Sequence, residues 1–285
     1  QKHMTMIGGA YSFTDKFAVM AMTNYTANSM PMEVKPSMGA NFTMKSDGIG
    51  DITLLGKYRL YADDPLVPTS QLSTVFGISV PTGNIEKKFS NSTVSGVNGT
   101  ILPYKMQLGS GTVDPIIALT YQGSRDPFWW GVNTKLQAHI YNNIQGYRRG
   151  QEFFYDFYFM KQVHDKWVIH TQLNGSWEGK MSREAYSGRI LGHGHKSTSP
   201  ANNFTSPLFD PNNYGGHKVG ISLGAQFQPV PMQIIELTAT LPLYQNLNGP
   251  QMRDNWMLRL SYYFEVPTKK SRRYKGFSAP KELGF

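Results

Sequence analysis

The chain is built from stretches in which apolar and polar residues alternate, separated by turns that are by turns short and long. Residues 256–264 show the pattern at its clearest. Trp256, Leu258, Leu260, Tyr262 and Phe264 are all apolar, whereas Met257, Arg259, Ser261 and Tyr263 are mixed. A strand sends successive side chains to opposite faces, so this segment has one apolar face and one mixed face. Aromatic residues stand at both ends of the apolar face, where a strand crossing a bilayer meets its two interfaces.

The same alternation predicts strands near residues 3–12, 17–26, 49–61, 71–81, 112–122, 129–142, 152–163, 167–178, 217–227, 233–243 and 255–265. One face collects Leu54, Tyr58, Phe76, Ile78, Ile117, Leu119, Trp130, Leu136, Phe157, Phe159, Trp167, Leu173, Trp177, Leu223 and Leu237. The other face collects charges of both signs: Lys57, Arg59, Asp114, Lys135, His139, Asp156, His170, Glu236 and Arg259. In a soluble sandwich the apolar face would turn inward. The aromatic ends and the many long strands favour the reverse, with the apolar set facing lipid and the charged set lining a lumen.

Composition agrees. Charged residues make up 16% of the chain and aromatics 13%, against a usual charged share of about 25% in soluble domains. Mean hydropathy is −0.39, and no apolar run reaches the roughly 18–20 residues of a spanning helix. A barrel escapes that test because only every second residue meets lipid. There is no cysteine, so disulfides and thiolate metal sites are excluded. The net charge is +9, but outside the C-terminal tail the basic residues form no patch or helix stripe, which argues against nucleic acid.

Short connections fall near 14–16, 62–67, 124–128, 164–166 and 229–232. Longer ones, rich in Gly, Asn, Ser and Pro, span 27–48, 82–111, 143–151, 179–216 and 244–254. Short periplasmic turns and long extracellular loops have this arrangement in outer-membrane barrels. An odd strand count is unusual for such barrels, so about twelve strands are expected, one of them upstream of Gln1. No signal peptide is visible at Gln1. The expected fold is an all-β, transmembrane antiparallel β-barrel over 1–266, followed by a basic periplasmic tail over 267–285 that carries Lys269, Lys270, Arg272, Arg273, Lys275 and Lys281.

Methionine is the chemically distinctive residue. Eight of the fourteen lie in the first 44 positions. Met4 and Met6 share a face of the first strand, Met20 and Met22 a face of the second, and a turn at Thr14–Lys16 sets the two pairs opposite each other. Met30 and Met32 follow, and His3 adjoins Met4. Thioether sulfur is a soft ligand suited to Cu(I), so His3, Met4, Met6, Met20, Met22, Met30 and Met32 form a candidate copper set. Methionine also fills irregular space as packing, and both readings stand at this point. His193 and His195 in the longest loop, with His217, form a weaker candidate for a divalent ion. No spacing of Ser, His and acid residues singles out a catalytic triad, and no enzyme is expected.

The run His3-Met4-Thr5-Met6, Tyr11-Ser12-Phe13-Thr14-Asp15-Lys16, Met20-Ala21-Met22 and Asn28-Ser29-Met30 resembles the N-terminal part of bacterial outer-membrane transporter-like proteins related to the phenol meta-pathway degradation family. Gly48–Ile52, Val80–Gly83, Leu108–Asp114 and Leu243–Gln251 resemble that family's recurring segments. The resemblance implies a Gram-negative outer-membrane barrel acting in transport, with copper linked to some Met-rich members. It also implies a further Met-rich strand upstream. The basic tail departs from the family pattern. The expected function is therefore a porin-like channel or transporter for a small solute or metal ion, bathed by outer-membrane lipid and lipopolysaccharide. The alternatives are a structural barrel that docks an envelope partner through 267–285, and a Met-lined copper-binding protein.

Overall fold

The computed structural model describes residues 1–33, 41–64, 67–90, 98–182 and 206–267. Within them lie twelve strands: β1 (Lys2–Ser12), β2 (Phe17–Glu33), β3 (Asn41–Ile49), β4 (Ile52–Ala62), β5 (Ser70–Val80), β6 (Asp114–Arg125), β7 (Phe128–Gln137), β8 (Glu152–His164), β9 (Trp167–Glu178), β10 (Gly216–Phe227), β11 (Gln233–Leu247) and β12 (Met257–Phe264). They join in one antiparallel sheet of order β1-β2-β4-β5-β6-β7-β8-β9-β10-β11-β12, with β3 paired to the distal half of β2. The sheet curls into an open, barrel-like trough. All eleven expected strands are present, and the short turns fall where the alternation put them.

Burial settles which way the faces point. Leu54, Phe76, Leu119, Phe157, Trp167, Leu173 and Leu237 are all exposed, whereas Asp114, His139, His170 and Glu236 are buried, Asp114 completely. The apolar set is on the outside. A water-soluble sheet would show the opposite arrangement.

The aromatic residues mark the edges of this exterior band. At the short-turn end Phe13 stacks near Phe17, Phe128 on Phe159, Trp167 on Phe227 and Tyr262 near Phe264. At the long-loop end the exposed set includes Trp177, Phe153 and Tyr244. On β9 the two tryptophans are ten positions apart. At a rise of roughly 3.3 Å per residue and a tilt of about 40°, that spans roughly 25 Å, the height of an outer-membrane apolar band.

Two features differ from the alternation reading. Residues 27–48, expected to be loop, contain the end of β2 and all of β3 but its last residue, Ile49. The hairpin was hidden because the inward parity changes there. Met22 pairs with Thr53, but Tyr25 pairs with Ile49, so one extra residue is inserted at Gly50–Ile52. This bulge moves the inward positions from odd on β4 to even on β3. Gly50 permits it, since a side chain there would strike the Asn24 amide. The second difference is β7, which stops at Gln137, leaving His139 beyond the strand.

β1 and β12 do not pair with each other among the described residues. Ten antiparallel steps separate them, so they run in the same direction.

Leu173 lies midway between the two β9 tryptophans, beside Ile221 and Phe157 on the outer face. Leu173→Arg is expected to lower stability in lipid by about 2–4 kcal/mol, whereas Leu173→Val stays within about 1.5 kcal/mol. Urea unfolding from phospholipid vesicles measures both.

Candidate functional site

The inner face is built by the parity of each strand. On the β8–β12 wall, Glu236 accepts from Gln226 Nε2 at 2.7 Å and from Thr238 Oγ1 at 3.0 Å, and Arg259 Nη2 reaches it at 2.9 Å. Asn133 donates to Asp156 at 3.4 Å, and the His170 ring packs against Gly224, where any side chain would collide with it. Lys57, Arg59 and Lys135 stand half-buried on the inner faces of β4 and β7. The Lys135 ammonium sits 4.4 Å from the centre of the Phe154 ring. The expected lumen residues on strands therefore all point inward. Near the short-turn end Trp129, Tyr158, Met160, Val168 and Ile234 pack together and fill that part of the trough.

His139 is a correction. It does not line open space from a strand. It is buried at the long-loop rim, with Nδ1 2.9 Å from Asp114 Oδ1 and Nε2 3.7 Å from Glu152. Gln151 holds its backbone from both sides, accepting from its N–H and donating to its carbonyl. Thr112 Oγ1 adds a short bond to Asp114. Burial alone would lower the imidazole pKa, but the close Asp114 carboxylate and the Glu152 charge outweigh it and raise it to about 9. His139 is thus a cation locking the start of β6 to the start of β8.

The long loops fold inward above this lock and build a dry core. Ile101, Tyr104, Tyr147, Met181 and Tyr214 form one cluster, and Met30, Met44, Phe89, Leu102, Met106 and Phe209 another. Gln107 fastens the first segment by donating to the carbonyls of Lys87 and Leu102. Asp51 accepts from the amides of Gly83 and Ser110 at 2.9 and 2.8 Å. These loops narrow the long-loop mouth without closing it. A cavity of about 2480 Å³ remains beside β1, β2 and β12.

The candidate copper set divides into three. Met4, Met6, Met20 and Met22 line the cavity. They do not face one another as expected: Met22 pairs with Gly8 and Met20 with Ala10, while Met4 pairs with Thr26 and Met6 with Asn24. The result is a staggered ladder, in the order 4, 6, 22, 20 from the long-loop end. Gly8 lies directly against the Met22 Cβ, so small residues make room for large ones. Met30 and Met32 belong to the plug, where Met30 opposes Met44. His3 is on the opposite face of β1 from Met4, as adjacent strand residues must be. Among the described residues no group of three or more His, Asp or Glu could hold a metal. His217 bonds the Tyr155 hydroxyl at 2.9 Å, and His193, His195 and the tail beyond Pro267 lie outside the described residues. Sequence reasoning missed the plug cores, because they follow no period along one strand.

An apolar aromatic-edged exterior and a polar interior define a transmembrane β-barrel. Residues 2–194 match the family model described as "Putative MetA-pathway of phenol degradation", and the chain belongs to that family. A solved structure, the COG4313 outer membrane channel from Pseudomonas putida F1, is similar to it with a TM-score of 0.56 at 10% identity, covering 91% of this chain and 80% of that one. The NanC porin aligns with a TM-score of 0.44 at 11% identity, over 92% of this chain and 99% of its own. No curated protein matches the chain.

Removing His139 strands a fully buried Asp114 carboxylate. His139→Gln is expected to cost about 3 kcal/mol or more. Because the folded pKa is raised, the His139 contribution is complete below about 6.5 and lost as pH rises through about 9. Unfolding midpoints across pH 6–10 should fall in wild type over that window, with a flatter profile in His139→Gln.

Proposed function

We propose that the protein is a passive channel for small solutes, with its short-turn end in the periplasm, its long-loop end outside the cell and outer-membrane lipid around the apolar band. The observation carrying this reading is the reach of the cavity. It is lined by Thr14, Asp15 and Glu265 at the short-turn end and by Lys105, Gln251 and Arg253 at the long-loop end. A continuous path of mixed polar and apolar lining past a partial plug suits diffusion of small molecules and excludes large ones. Wild-type protein in a planar bilayer is expected to give discrete conductance steps. Current indistinguishable from the bare membrane would remove the reading.

A second reading rests on the methionine ladder. Four thioethers on one inner face offer soft donors along the path, suited to guiding Cu(I). Met4, Met6, Met20 and Met22 changed together to Leu should then lower Cu(I) uptake by the purified protein. Equal uptake by wild type and variant would assign the ladder to packing or to an apolar solute.

A further inference from the structure

Five cations from five different segments converge on the long-loop mouth of the cavity: Lys2 from β1, Lys105 from the 3-10 turn Tyr104–Met106, Arg149 before β8, Lys218 on β10 and Arg253 before β12. Lys2 lies within electrostatic reach of Lys105, Arg149 and Lys218, and of one carboxylate, Asp254. Like charges brought together in a narrowed mouth repel one another, so the arrangement has a standing electrostatic cost that an incoming anion would relieve.

The acids lining the same mouth are already engaged. Glu178 lies 3.4 Å from Lys105, Asp254 is 2.6 Å from Lys218, Glu152 faces His139 and Asp51 is held by two backbone amides. Lys2, Arg149 and Arg253 make no ion pair with a carboxylate among the described residues. Arg149 donates from one nitrogen to the Gly109 carbonyl at 2.7 Å, which fixes its guanidinium at the plug. Three cations therefore have donors to spare where a solute enters.

What lies directly below them is apolar but yielding. Lys2, Met4 and Met6 share one face of β1, and Met22 and Met20 continue the row on β2. Unbranched thioether side chains adapt to flat or irregular apolar bodies and make favourable contacts with aromatic rings.

We propose that this path selects small organic anions with an apolar body, such as aromatic carboxylates. The charged group is received by Lys2, Arg149 and Arg253, and the apolar body passes along the methionine ladder. The proposal rests on the channel reading and deepens it.

The test measures reversal potentials in a planar bilayer, first in a KCl gradient and then with benzoate or gluconate replacing chloride on one side. Wild type should favour chloride over potassium, and benzoate over the equally charged but polar gluconate. The combined variant Lys2→Gln, Arg149→Gln, Arg253→Gln should lower the anion-to-cation permeability ratio by about threefold or more. The double variant Lys2→Gln, Arg253→Gln keeps the Arg149–Gly109 bond and serves if the triple variant does not insert. Met4, Met6, Met20 and Met22 changed to Ser should reduce the benzoate preference while leaving the chloride-to-potassium ratio unchanged. Conduction without anion preference, or anion preference unmoved by the charge variants, overturns the proposal and leaves the channel intact. Benzoate no more permeant than gluconate overturns the apolar-body half. Absence of conduction removes the channel reading, and this inference falls with it.

Discussion

Backbone amides and carbonyls inside hydrocarbon must find partners within the protein, and the antiparallel ladder from β1 to β12 supplies them along every strand between the two edges. The rest of the molecule follows from that requirement. Once the ladder is fixed, the pleat leaves each residue only two directions, outward to lipid or inward. Leu173 outside and Asn174 inside are consecutive residues of one strand, and they meet entirely different surroundings. An exposed leucine, usually a liability, is here the condition for staying in the membrane.

The interior is organised in two different ways. Along the strands, polar side chains satisfy one another in short chains such as Gln226–Glu236–Arg259 and Asn174–Ser222–Thr240. At the long-loop mouth the logic is that of a small soluble domain: Leu102, Met106 and Phe209 are buried against one another, and Tyr104 against Tyr147 and Tyr214. The His139 ion pairs join the two regimes. They tie the first residues of β6 and β8 together where the strands give way to the plug, so the geometry of the mouth is anchored to the rigid sheet.

Much of this was legible in the residues. Strict alternation in segments such as Phe153–Phe159 and Trp167–Trp177 identified strands and their outer faces, because a period of two is imposed wherever two environments differ. The reading failed where that period slips. The extra residue at Gly50–Ile52 shifts the phase, so β3 looked like loop, and the same shift concealed that Met30 and Met44 face each other. His139 was assigned to a strand because Ile140 continues the alternation by chance; the chain has already turned into the rim. The plug and the group of cations at the mouth were not legible. They depend on loops distant in sequence, such as those carrying Lys105, Arg149 and Arg253, meeting over the trough.

The two border strands of the sheet point the same way. Among the described residues, a direct join between them would have to be a parallel one, with the slanted and slightly weaker hydrogen bonds of that pairing. Two molecules inserted with the same orientation would likewise offer each other only borders of matching sense, and so only a parallel ladder. Strand polarity thus fixes the kind of ladder that these two borders could form.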